Sequence, residues 1–132
     1  MIVLDATLLI AYLEHADSHH DTAVKILAEH AGGSLAASSL TLAETLVGAV
    51  VKGTVDRAIE VMVGELDITT VAILGTEALR LAEIRASTGL RIPDCCVLLA
   101  AEKLSAPALA TFDRRLAEVA AGRGLQVLPA GR

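Results

Sequence analysis

An alternation constrains this chain most. Five short apolar or β-branched segments, each too brief for a helix, are separated by longer stretches with helical spacing. The first is "IVL" at 2–4, which stops abruptly at Asp5. A continuous apolar run of that length reads as a strand buried on both faces. "TLLIAYLEH" follows as a short helix. Apolar residues recurring at Ala23, Val24, Ile26, Leu27 and Ala28 predict an amphipathic helix from His20 to His30, ended by Gly32-Gly33. Leu35 to Ala37 predicts a second strand, and Ser39 offers an N-cap for a helix running to Gly53. Thr54 opens another helix, "VDRAIEVMVGEL". The β-branched content of Asp67 to Ala72 predicts a third strand.

The second half repeats the scheme. "TEALRLAEIRAST" is helical and closes at Gly89, and a helix runs from Pro93 to Leu104. Ala108 to Ala110 predicts a strand, Arg114 to Ala121 a helix, and Leu125 to Leu128 a last strand. Strands interleaved with helices imply an α/β fold: a parallel sheet of about four or five short strands with helices on both faces. The pattern leaves the strand order open. At 132 residues, without repeat, low-complexity block or linker, the chain reads as a single domain over 1–132.

Composition narrows the function classes. No apolar run approaches the roughly 20 residues of a membrane span, and the N-terminus lacks the basic flank of a signal peptide. A soluble, cytoplasmic protein is expected. Cys95 and Cys96 are adjacent in a predicted helix, so they read as small buried hydrophobes. His15, His19, His20 and His30 show no zinc-type spacing. One Tyr, one Phe and no Trp argue against the stacking platforms of many single-strand binders, and a net charge of −5 argues against a broad phosphate-binding surface.

The fold class directs attention to four acids. Ligands of open parallel sheets bind beyond the carboxyl ends of the strands. Asp5 ends the first strand, and Asp113 follows "ALAT" closely. Asp94 falls in the first turn of its helix behind Pro93, where a negative charge meets the positive end of the helix dipole. Glu44 is a lone charge among Leu42, Ala43, Thr45, Leu46 and Val47. Each has an ordinary explanation: Asp5 and Asp113 as caps, Asp94 as a helix starter, Glu44 as a solvated side chain. Together near one point they would repel one another unless a cation sat among them. An all-oxygen cluster suits Mg²⁺ or Mn²⁺ over zinc. Without these four acids the net charge falls from −5 to −1, so the acidic balance does not exclude an RNA substrate.

"IVLDATLLIAYL", "TLAETL", "LRIPDCCVLLAAE" and "LATFDRRL", in that order, resemble the PIN-domain ribonucleases, especially the VapC-like toxins of bacterial toxin–antitoxin pairs. The resemblance spans essentially the whole chain. It implies a PIN-like fold, a Mg²⁺-dependent endoribonuclease (Mn²⁺ a possible substitute), and Asp5, Glu44, Asp94 and Asp113 as its metal-binding and catalytic set. Thr7 and Thr111 stand where the family often has a hydroxyl or amide residue. Ala6 replaces a common hydroxyl residue, and Cys95-Cys96 replaces small or aliphatic ones. The resemblance also implies a homodimer and a cognate VapB-like antitoxin that places an arginine among the acids. The apolar stretch from Leu40 to Val63 is a candidate contact surface.

Other classes fit less well. A haloacid-dehalogenase-like phosphatase needs an acid at position 7, which is Thr. A receiver-like phosphoacceptor domain needs a lysine near its last strand, whereas Lys103 lies within a helix. The remaining alternative is a non-catalytic, cation-stabilised binding module of the same fold.

Overall fold

The structure is a computed structural model that describes residues 1–130. In chain order it runs β1 (Ile2–Leu4), α1 (Ala6–Leu13), α2 (His20–Glu29), β2 (Leu35–Ser38), α3 (Ser39–Lys52) and α4 (Val55–Ile59). α4 continues as a π-helical segment, Glu60–Glu65. Then come β3 (Thr69–Val71), a 3₁₀ turn (Gly75–Glu77), α5 (Ala78–Thr88), α6 (Ile92–Leu104), β4 (Ala108–Ala110), α7 (Arg114–Gly122) and β5 (Gln126–Leu128).

All four strand pairings are parallel, in the order β3-β2-β1-β4-β5. The first strand made is thus the central one. Strand alternation divides the core into two layers. Val3, Ala36, Val71 and Leu109 point to one face, packing with α5, α6 and α7 through Ile84, Leu98 and Leu116. Ile2, Leu4, Leu35 and Ala110 point to the other, packing with α1, α2 and the π segment through Leu8, Leu27 and Met62. Helices therefore cover both faces, as the alternation predicts. No helix among the described residues is long and apolar enough to cross a membrane.

Boundaries shift where a local bond outcompetes propensity. Ser38, not Ser39, caps α3: its Oγ accepts from the Thr41 N–H at 3.0 Å, and Ser39 is already helical. β3 starts at Thr69 because Asp67 takes a left-handed turn (φ 48°) that no strand accommodates. Leu125 is excluded from β5 because its N–H closes α7 on the Ala120 carbonyl. The helix expected from Thr54 changes winding near Glu60, and the Leu66 N–H reaches the Val61 carbonyl five residues back. Gly53 (φ 74°) and Gly89 (φ 72°) end α3 and α5 in the left-handed conformation that glycine adopts without strain.

α6 is apolar on every side, and Asp94 through Ala101 are all buried. It runs through the core instead of lying on it. Cys95 and Cys96 are free and fully buried; burial, the larger cause, and charge repulsion push the Cys96 thiol up to about 11. Both behave as small hydrophobes.

Candidate active site

The chain proceeds from β1 to β2 and β3 on one side of the sheet, then to β4 and β5 on the other. The switch lies between β1 and β4, the place where open parallel sheets bind ligands beyond the strands' carboxyl ends. Asp5 leaves β1 at this point, its N–H donating to the Ala110 carbonyl at 3.0 Å.

Asp5 occupies the N-cap position of α1 yet caps nothing with its side chain. Its Oδ2 instead accepts from the hydroxyls of Thr7 and Thr111, each at 2.7 Å. Each hydroxyl then accepts a backbone N–H: Phe112 to Thr7 at 3.0 Å, and Asp113 to Thr111 at 2.9 Å. Both hydroxyl protons are used on Asp5, so the 3.3 Å approach of the two oxygens is a contact without a proton. The β4–α7 connection is thereby fastened to Asp5. Asp113 does cap: its Oδ1 accepts from the Leu116 N–H at 3.1 Å.

Asp94 is in a different situation. It is 8% exposed, and no hydrogen-bond donor among the described residues reaches its carboxylate. Its pKa is raised to about 6, first by burial, then by the charges of Asp5 and Asp113, with Glu44 adding a smaller push and Arg91 opposing. Glu44 is exposed as a residue, though its carboxyl end is partly desolvated. That desolvation, and then the Asp5 charge, raise its pKa against the pull of Arg91. Asp94 thus feels the charges of the other three acids, and Glu44 that of Asp5.

Of the basic residues nearest in sequence, Arg91 occupies the N-cap position of α6 without a side-chain cap bond and acts on Asp94 and Glu44, while Arg114 and Arg115 are exposed. Sequence reasoning missed His19, whose ring stacks on Phe112 beside the acids. Phe112 lies within "LATFDRRL", but one Phe in the whole composition gives little sign of a stack.

The donor set fits a hard divalent cation. It is all oxygen, mutually repulsive, and includes a carboxylate that no donor among the described residues satisfies. As the side chains stand, no three His, Cys, Asp or Glu among the described residues converge closely enough to hold an ion.

Among solved structures, the fold is similar to that of the Mycobacterium tuberculosis toxin VapC20, described as cleaving the sarcin–ricin loop. The TM-score is 0.77 at 14% identity, covering 90% of this chain and 95% of that one. It is also similar to a toxin–antitoxin complex from Klebsiella pneumoniae, with TM-score 0.68, 24% identity, and coverage of 86% and 87%. No curated protein matches the sequence. Residues 2–122 match the family model of the PIN domain. The sheet order, the switch-point acids and this match give one conclusion: the chain belongs to the PIN domain family.

Proposed function

We propose that this chain is a divalent-metal-dependent endoribonuclease and the toxin of a toxin–antitoxin pair. The observation that carries the reading is Asp94: a largely buried residue whose carboxylate takes no hydrogen bond from the described residues, raised to about 6, in the field of Asp5, Asp113 and Glu44. A fold that tolerates such repulsion at a sheet's switch point is built to receive positive charge. The likeness to a toxin described as cleaving the sarcin–ricin loop supports RNA as the substrate.

Asp5, Asp94 and Asp113 would hold Mg²⁺ or Mn²⁺, with Glu44 completing the shell or orienting the attacking water. When bound, the cation supplies a Lewis acid that activates water and offsets charge on the phosphate during in-line displacement. Thr7 and Thr111 are positioning residues: they fix the Asp5 carboxylate through its Oδ2. The water's oxygen bonds to phosphorus as the bond to the leaving ribose oxygen breaks.

A VapB-like antitoxin is the proposed partner, supported by the likeness to a toxin–antitoxin complex. A homodimer is also proposed. α3 exposes Val47, Val50 and Val51, and Ile59 and Val63 in the following helical segment are exposed too. The assembly would act in the cytoplasm.

The test is cleavage of structured and single-stranded RNA by the purified chain with Mg²⁺, Mn²⁺ or EDTA, beside Asp5→Asn and Asp94→Asn. Cleavage with either metal, lost in EDTA and at background in both variants, is expected. A folded parent that cuts no RNA with either metal would overturn the reading. If metal still raised its stability, the cation-stabilised binding module would replace it.

A further inference from the structure

The rings of His19 and Phe112 lie nearly parallel, 8° apart, with centroids separated by 4.3 Å. Phe112 is the chain's one phenylalanine and directly precedes Asp113. Its N–H is bound to Thr7, whose hydroxyl is bound to Asp5. His19 comes from the α1–α2 connection, so the stack bridges two loops at the rim of the acid cluster.

His19 is held from two directions. Its backbone N–H donates to Asp17 Oδ1 at 2.8 Å, and its ring rests on Phe112. Next to it, His20 donates from Nδ1 to the Ala11 carbonyl at 2.7 Å and stacks on His15 at 4.6 Å. The connection is thus pinned by two ring pairs, yet His19 itself remains exposed. Phe112 covers one of its ring faces, which leaves the opposite face and the edges free of Phe112.

An exposed, pre-positioned aromatic face beside a phosphodiester site suits a nucleobase. Stacking requires no net charge, so it can seat RNA on a chain whose balance of −5 gives little general attraction for phosphate. We infer that the His19–Phe112 pair is a base-stacking platform: an unpaired RNA base extends the stack on the outer face of His19 and sets which nucleotide flanks the phosphate at the acids. This rests on the ribonuclease reading for the identity of the site, while the ring geometry stands by itself.

The test uses short single-stranded RNAs carrying 2-aminopurine, or an abasic nucleotide, at successive positions. Binding is followed by fluorescence and by filter retention in EDTA, so the RNA remains uncut. The parent is compared with His19→Ala and with His19→Phe, which restores a flat ring. At one position, the parent and His19→Phe are expected to quench the 2-aminopurine and to bind the abasic RNA about tenfold more weakly, the scale of one stacked base. His19→Ala is expected to lose both effects while remaining folded by circular dichroism. No position dependence in the parent, the same dependence in His19→Ala, or no RNA binding at all would overturn the platform. Cleavage with Mg²⁺ is scored separately on the same RNAs. Cleavage indifferent to every abasic position leaves the nuclease reading standing and removes the platform; position-dependent binding without cleavage does the reverse.

Discussion

Thr111 Oγ1 stands 2.7 Å from Asp5 Oδ2, joining positions 106 apart in the chain. Thr111 is fully buried and serves twice, as donor to Asp5 and as acceptor of the Asp113 N–H. Thr111→Val keeps the volume, removes one of the two donors to Asp5, and leaves that N–H without its acceptor. Urea unfolding should show a loss of about 1–3 kcal/mol, the cost of stranding buried polar groups. RNA cleavage should fall at temperatures where the variant is still fully folded. Unchanged stability would mean the brace is dispensable.

Asp94 should make the protein less stable as pH rises. Its folded pKa of about 6 lies above the ordinary value of 3.8, so the folded state holds the proton more tightly than the unfolded chain. That stabilisation is fully present below pH 3.8 and is lost as pH rises through 6. Asp94→Asn cannot ionise. In EDTA at pH 7.5 it should be more stable than the parent by about 1–2 kcal/mol, after discounting for solvent screening. The advantage should shrink toward zero near pH 4. Denaturant melts at the two pH values decide it; a pH-independent difference would point to packing instead.

A divalent cation should offset that difference. Ligand at ten times Kd stabilises the folded state by about 1.4 kcal/mol. Mg²⁺ or Mn²⁺ should therefore raise the Tm of the parent and leave that of Asp94→Asn nearly unmoved. Calorimetric scans with EDTA and with each metal measure this. Equal responses from both proteins would place the bound ion elsewhere.

Val51 is 81% exposed on the same helix as Val47 and Val50. A charge there meets only water in a monomer but is desolvated in a dimer. Val51→Asp should leave monomer stability within about 0.5 kcal/mol and convert a dimer to a monomer by light scattering. A parent that is already monomeric would remove α3 as a dimer face.

Among the described residues, the five strands and the α-helices were legible because the hydrophobic period is set by the core each element buries, whereas the π winding at Glu60–Glu65 and the 3₁₀ turn at Gly75–Glu77 were not. What the sequence left open was decided by single bonds. Ser38 and Ser39 are equally good caps on paper, and only the path of β2 puts Ser38 Oγ against the Thr41 N–H. Asp5 and Asp113 both follow strands, but one carboxylate turns to Thr7 and Thr111 while the other caps α7. Local propensity favours a cap for both. Strand order was likewise out of reach, since β1 pairs with β4 across more than a hundred residues. Glu44 stood out as a lone charge among apolar neighbours, and its electrostatic link to Asp5 joins it to the site. His19 could not have been found, because its importance comes from a ring supplied by a distant loop.

The central position of β1 also governs when the site can exist. Its neighbour β2 is synthesised early, but β4 is complete only at Ala110. Until then, a growing chain carries Asp5 on a strand with one open edge, without Thr111 or Asp113. Long-range parallel pairing is slow to form, and chains emerge from the ribosome N-terminus first. The four acids can therefore come together only after β4 and Asp113 have been made, and a nascent chain shorter than that carries Asp5 without its partners.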